Sequence, residues 1–383
     1  YSSAASDVYK RQFEHPEMEM AAQTWGGEWW KYGGGGTAWN SLVYDEDFNS
    51  LYIGVGNGAP WPREIRSPGG GDDLFLASIV SVDVETGRMN WFYQTVPGDN
   101  WDYSSAMDIT LGEIELNGEM RKVLLQAPKN GFFYILDRED GELLRAHAYT
   151  DGITWATHVD METGRPVENP DVVYETDPQW ILPANSGAHN WEPQSWDNDR
   201  GLMYFYYHDI ANFYSLDETF VRTGVYEIRE RGLSLGWGEG AYRRELEAQA
   251  APRPESKAFI GAFDPITGQY KWRHPLESIY NGGVLATRSG LMFQGEGTGE
   301  FVVRETETGM PIWSYSAPGT FRSTSVMSYQ IDDIQYVAAM MNGNRTIDLG
   351  GTLVAFKLEG DAILQIPEIV QSEIPDQPED EYN

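Results

Sequence analysis

No cysteine occurs among the 383 residues. That excludes a thiolate nucleophile, thiolate zinc or iron–sulfur ligation, a disulfide framework and haem attached through Cys-x-x-Cys-His. Redox chemistry in this chain would have to use a non-thiol cofactor, and the compartment is left open. Basic residues are scarce: 27 Lys plus Arg stand against 59 Asp plus Glu, a net charge of −32 that opposes nucleic-acid phosphates and anionic lipid. No run of about 18 apolar residues exists to cross a bilayer. A Gly-x-x-x-x-Gly-Lys-Ser/Thr phosphate loop is also missing. Gly54-x-Gly56-x-Gly58 and Gly295-x-Gly297-x-Gly299 lack the third-glycine spacing and the helix of a dinucleotide site. Asp45-x-Asp47-x-Asn49 opens like a calcium loop but puts Gly56 where the Glu is needed.

What the chain does have is a repeat. Asp83-Val-Glu-Thr-Gly87-Arg-Met-Asn-Trp91, Asp264-Pro-Ile-Thr-Gly268-Gln-Tyr-Lys-Trp272 and Glu305-Thr-Glu-Thr-Gly309-Met-Pro-Ile-Trp313 share the form acidic-x-x-Thr-Gly-x-x-x-Trp. Asp137-Arg-Glu-Asp-Gly141-Glu-Leu-Leu is a degraded copy. Each Thr-Gly or Asp-Gly lies between short β-rich runs and reads as a tight hairpin turn. The 41-residue spacing from Asp264 to Glu305 suits one four-stranded propeller blade. The Trp closing each copy is expected to wedge between neighbouring blades. The fold class is therefore all-β, a β-propeller with Trp-docking repeats. Between Gly141 and Lys257 the period breaks, which reads as one or two blades carrying long insertions, with a short exposed helix over Ala241 to Ala251. Loops on one face of a rigid scaffold are where function usually sits.

Three segments carry more. Trp39-Asn-Ser-Leu-Val-Tyr44-Asp45 followed by Leu51-Tyr-Ile-Gly-Val-Gly56-Asn57-Gly58-Ala59-Pro60-Trp61 comes first. Gly98-Asp-Asn-Trp-Asp102-Tyr103-Ser104 and Lys129-Asn-Gly-Phe-Phe-Tyr-Ile-Leu-Asp137-Arg138 follow. In this order they resemble the signatures of the quinoprotein alcohol dehydrogenases. The resemblance implies an eight-bladed propeller, roughly five to six blades of it present here, with pyrroloquinoline quinone held by a cation at its centre. It runs from about Phe13 to Gly360, including Gly282-Gly-Val-Leu-Ala-Thr287 and Leu291-Met-Phe-Gln-Gly295, and corresponds to the C-terminal two-thirds of the family's catalytic domain. The missing third would supply a glutamate cation ligand and the vicinal cysteine pair that caps the quinone. Asn342-Gly-Asn-Arg-Thr-Ile-Asp348 stands where the family has a Gly- and Trp-rich turn. Tyr1 to Gln12 reads as translated sequencing-adapter DNA, so the true N-terminus and any signal peptide are expected to be missing. Asp361 to Asn383, with seven acidic and no basic residues, reads as a disordered tail or linker.

Each candidate residue has a bland reading beside the functional one. Trp39 follows the bare backbone of Gly33 to Gly36 and Thr37, and with 14 Trp in the chain it could simply be packing. The resemblance makes it the floor under the quinone, with Thr37 beside it. Asn57 could be a turn Asn; the resemblance makes its amide oxygen a cation ligand, chemistry that suits a hard ion such as calcium. Asp102 could be a turn residue; by resemblance it is the catalytic base and a second cation ligand, ionised at neutral pH. Lys129, opening a strand after Ala127-Pro128, resembles the basic residue that donates to the quinone oxygens. Asn190 and Trp191 match a segment that approaches the cofactor, and His189 beside them is given a structural role first. Lanthanide-using relatives carry a second Asp where this chain has Ser104, which favours calcium.

The resemblance therefore implies periplasmic oxidation of a small alcohol by base-assisted hydride transfer to pyrroloquinoline quinone, with electrons passed to a cytochrome c. The fragment alone is expected to be inactive. Two rivals remain: a quinoprotein sugar dehydrogenase, and a non-catalytic periplasmic propeller that scaffolds protein assembly. The scaffold would have no need of Asn57, Asp102 and Lys129 together.

Overall fold

The computed structural model describes residues 15–40, 42–228, 235–343 and 350–360. The adapter-like stretch, the acidic tail and most of 342–348 lie outside the described residues. Among the described residues five antiparallel sheets of three or four strands follow one another along the chain, each a meander whose strands pair in chain order, with three two-stranded sheets besides. Blade 1 comprises Leu42–Asp45, Ser50–Gly54, Ser78–Asp83 and Met89–Gln94; blade 2, Thr110–Leu116, Glu119–Gln126, Phe132–Asp137 and Leu143–Ala148. Blade 3 comprises Ser195–Asp197, Leu202–Asp209, Lys257–Asp264 and Gln269–Pro275; blade 4, Val284–Ala286, Leu291–Gly295, Glu300–Glu305 and Pro311–Ser316. Blade 5 has three strands, Val326–Ile331, Ile334–Met341 and Thr352–Lys357. Five blades meet the lower bound of the expected five to six.

The repeated acidic residue is explained by the turn it opens. Asp83 Oδ1 accepts hydrogen bonds from the amide and hydroxyl of Thr86, and Asp264 Oδ1 accepts from the amides of Ile266 and Thr267. Each carboxylate thus satisfies turn amides that have no strand partner. The glycine that follows takes a left-handed conformation, φ 67° at Gly87 and 71° at Gly268, and a bulge interrupts the pairing of strands three and four just beyond the turn. One copy escaped the sequence reading: Asp160 to Gly164 makes the same turn in a two-stranded hairpin, Ala156–Asp160 with Arg165–Glu168, inside the long insertion. It lacks the Trp at the fixed offset.

The tryptophans dock as expected in two of three copies. Trp91 donates from Nε1 to Arg138 O at 3.1 Å, and its ring covers Gly141, where a Cβ would stand 2.6 Å away. Trp272 donates to Thr306 O at 2.9 Å and covers Gly309 in the same way. The degraded copy in blade 2 replaces the indole with an imidazole: His147 lies on Gly268 and its Nε2 donates to Ile266 O at 3.1 Å. Trp313 departs from the expectation. It is 47% exposed and its ring meets Phe356 edge-on, because the sequence of blade 5 offers no acidic-x-x-Thr-Gly turn to receive it.

Burial follows the same logic. The third strand of blade 2, Phe132–Asp137, is buried throughout, whereas the outer strand Gln269–Pro275 alternates between exposed and half-buried positions. Because each blade is a meander, connections between strands two and three and connections between blades emerge at one end of the strands. The docking turns between strands three and four emerge at the other end. All long connections lie at the first end: 55–77, 95–109, 149–194 and 210–256. The last contains the expected exposed helix, at Gly240–Gln249.

Candidate active site

Every sequence-selected residue lies on the end of the blades that carries the long connections. The arm before blade 1 pairs Gly34–Gly35 with Gly58–Ala59, and Gly56 donates its amide to Thr37 O at 3.1 Å. This lays Thr37 and Trp39 alongside Asn57, with Trp39 Nε1 against the bare Gly56. Asn57 is tied in turn to the next loop: Ser104 Oγ donates to Asn57 Oδ1 at 3.1 Å and accepts from the Asn57 amide at 3.2 Å. Ser104, noted in the sequence only as an absent carboxylate, therefore aims the amide oxygen of Asn57. It uses one of the two lone pairs on that oxygen.

Asp102 stands in a left-handed conformation, φ 69°, a conformation uncommon outside glycine and met most often in Asn, Asp and functional loops. Asp99 holds it there. The Asp99 carboxylate is fully buried and accepts from the amides of Trp101 and Tyr103, the two residues flanking Asp102. Lys129 Nζ donates to Asp102 O at 3.0 Å and to Asp102 Oδ2 at 3.1 Å, with the two side chains 7% and 14% exposed. Burial pushes the Asp102 carboxyl up, Lys129 pulls it down and Asp99 pushes it up again, to about 6. At neutral pH it is still mainly ionised, as the sequence reading requires. Lys129 itself differs from expectation in its setting. It lies in the turn 127–131 rather than on a strand, because Pro128 has no amide hydrogen to give a ladder and Gly131 turns at φ 93°.

Trp191 meets Trp39 edge-to-face at 5.8 Å, and the two rings are 46% and 42% exposed. Asn190 is buried; its Nδ2 donates to Ser186 O, and its Oδ1 has no partner. His189 is structural. It is 1% exposed, donates from Nδ1 to Ala127 O at 2.8 Å, and burial holds it down at about 4, so it stays neutral. It fastens the Asn190–Trp191 loop to the turn that carries Lys129. The apparent calcium loop is closed by ion pairs, Arg138 with Asp45 and Asp47 and Lys122 with Asp47.

Comparison with known proteins bears on this arrangement directly. The profile described as "Glucose/ethanol/alcohol dehydrogenase, beta-propeller domain" matches residues 10–146, which hold Thr37, Trp39, Asn57, Asp102 and Lys129. Quinohemoprotein alcohol dehydrogenase ADH IIB of Pseudomonas putida is 38% identical over 370 residues, 93% of this chain and 51% of that protein. The chain belongs to the pyrroloquinoline quinone-dependent alcohol dehydrogenase family. The crystal structure of quinohemoprotein alcohol dehydrogenase from Comamonas testosteroni matches with a TM-score of 0.82 at 33% identity, covering 93% of this chain and 53% of that one. A europium-containing methanol dehydrogenase matches with a TM-score of 0.71 at 25% identity, covering 86% and 54%. The chain thus spans about half the length of these relatives. A second profile, "Outer membrane protein assembly factor BamB", matches residues 256–359.

The residues fit the family's quinone and cation. The half-exposed Trp39 and Trp191 rings meet edge-to-face and leave one indole face open beside the Asn57 loop, and the buried unpartnered Asn190 Oδ1 needs a donor. Among the described residues no three His, Cys, Asp or Glu side chains gather to hold a metal. The oxygen donors available to a cation here are the amide oxygen of Asn57 and the carboxylate of Asp102, the pair that the resemblance implies.

Proposed function

We propose that this chain contributes the base, the cation ligands and one wall of a site that oxidises alcohols on pyrroloquinoline quinone. When bound, the quinone supplies the hydride acceptor and the cation polarises it. Asp102 accepts the hydroxyl proton of the alcohol at its carboxylate. Lys129 keeps that carboxylate ionised and oriented, and presents positive charge where negative charge develops on reduction. Asn57, aimed by Ser104, and Asp102 hold the cation, with calcium preferred because Ser104 adds no second carboxylate for a trivalent ion. Trp39 is the floor, Thr37 lies beside it, and Asn190 and Trp191 close the side. Electrons pass to a cytochrome c in the periplasm. The observation that carries this reading is the Lys129 ammonium bridging both the carbonyl and the carboxylate of a left-handed Asp102.

The test is Asp102→Ala in the holoenzyme. Alcohol oxidation is expected to vanish while quinone stays bound on Trp39, and near-normal turnover would end the assignment. Reconstitution with quinone plus calcium, against quinone plus a lanthanide, decides the cation; activity with the lanthanide only would overturn the argument from Ser104. The scaffold reading draws on the match over 256–359. That interval contains the Trp272 and Trp313 repeats but none of the residues assigned here, so the two readings concern different parts of the chain.

A further inference from the structure

Arg66 is buried completely, in a four-residue helix between the Asn57 turn and blade 1's third strand. A guanidinium has five N–H donors, and here all five are used. Nε and Nη2 reach Asp73 Oδ2 at 3.1 and 3.0 Å; Nη1 reaches Pro60 O and Trp61 O at 2.7 and 2.8 Å; Nη2 also reaches Asp99 O at 2.6 Å. Pro60 and Trp61 continue the loop that carries Asn57, and Asp99 anchors the loop that carries Asp102. The guanidinium also packs flat on Gly58, where any side chain would collide with it. One side chain therefore fixes the loops of both assigned cation ligands. Asp73, 1% exposed, balances the charge.

We infer that Arg66 is a positioning residue, a buried brace that sets the separation of Asn57 and Asp102 and thereby the fit of the cation. The inference rests on the proposed roles of those two residues. A lysine cannot replace it, because a single ammonium has three donors and no planar fork to serve two loops and a carboxylate together.

Removing Arg66 alone would strand the buried Asp73, which is strongly destabilising, whereas replacing both partners with neutral residues is commonly tolerated. The decisive variant is thus Arg66→Met with Asp73→Asn, made in the holoenzyme, with calcium titrated calorimetrically into the quinone-loaded protein. Calcium affinity is expected to fall tenfold or more while the thermal midpoint holds, and kcat is expected to fall with KM for the alcohol little changed. A folded double variant with calcium affinity within twofold of the parent would overturn the inference. If the double variant fails to fold, Arg66→Lys decides in the same titration: a loss of similar size supports the brace, and unchanged affinity rejects it. Asn57→Ala serves as the control. If it too leaves calcium affinity unchanged, the ligand assignment itself has failed, and the brace with it.

Discussion

Replacing Lys129 with Met removes the only influence among the major ones that lowers the Asp102 carboxyl. In the folded chain burial and Asp99 push it up and Lys129 pulls it down, leaving it at about 6 against an ordinary 3.8. An opposite charge at this distance commonly contributes about 1–3 pH units, so Asp102 in the variant should titrate between about 7 and 9. At pH 7 the ionised fraction in the cation-free protein then falls from about nine-tenths to between about one-half and one-hundredth. The assay is a 13C NMR titration of the Asp102 carboxyl in cation-free protein. The Asp102 titration should move to higher pH by about 1–3 units. The sign also fixes stability. A carboxyl raised in the folded state contributes in full below pH of about 4 and loses that contribution as pH rises through its folded value, so Lys129→Met shifts the loss upward. An Asp102 titration that stays in place, or moves down, would refute the reasoning.

Two further outcomes follow from the packing and the charges. Trp91→Ala, which empties the joint over Gly141, should cost about 3–5 kcal/mol in chemical denaturation, whereas Trp313→Ala, at a half-exposed ring, should cost less than about 1 kcal/mol; equal losses would show that the indole is not what docks the blades. Burial also raises the Asp108 carboxyl to about 6, and no cation pairs with it among the described residues, so Asp108→Asn should stabilise by up to about 3 kcal/mol at pH 7 and hardly at all at pH 4. Stabilisation that persists unchanged at pH 4 would contradict that burial.

The sequence made the joints readable because each one is local: an acidic residue, its turn amides and a Trp at fixed offset all lie within nine positions. It also singled out Asp102, Lys129 and Asn57, through their resemblance to a known pattern, and the fold carries all three to one end of the blades. It did not show that His147 would take the place of an indole, since that depends on which turn the next blade presents. Arg66 was invisible for a similar reason. In Arg63-Glu-Ile-Arg66 it reads as part of an ordinary solvated charge cluster, and only the convergence of loops from 55–77 and 95–109 buries it. Asp99 carried a fainter signal, an Asp placed to cap amides two and four residues on.

The separation of the two ends of the blades has a consequence for how such a protein can change. Joints that hold neighbouring blades occupy one end, and the connections of 23, 15, 46 and 47 residues that carry or surround the assigned chemistry occupy the other. Lengthening or redrawing one of those connections therefore leaves the indole-on-glycine contacts untouched, and a stabilising change at a joint leaves the assigned residues untouched. The proposed chemistry and the docking of the blades are written in separate parts of the chain, so selection can revise one without renegotiating the other.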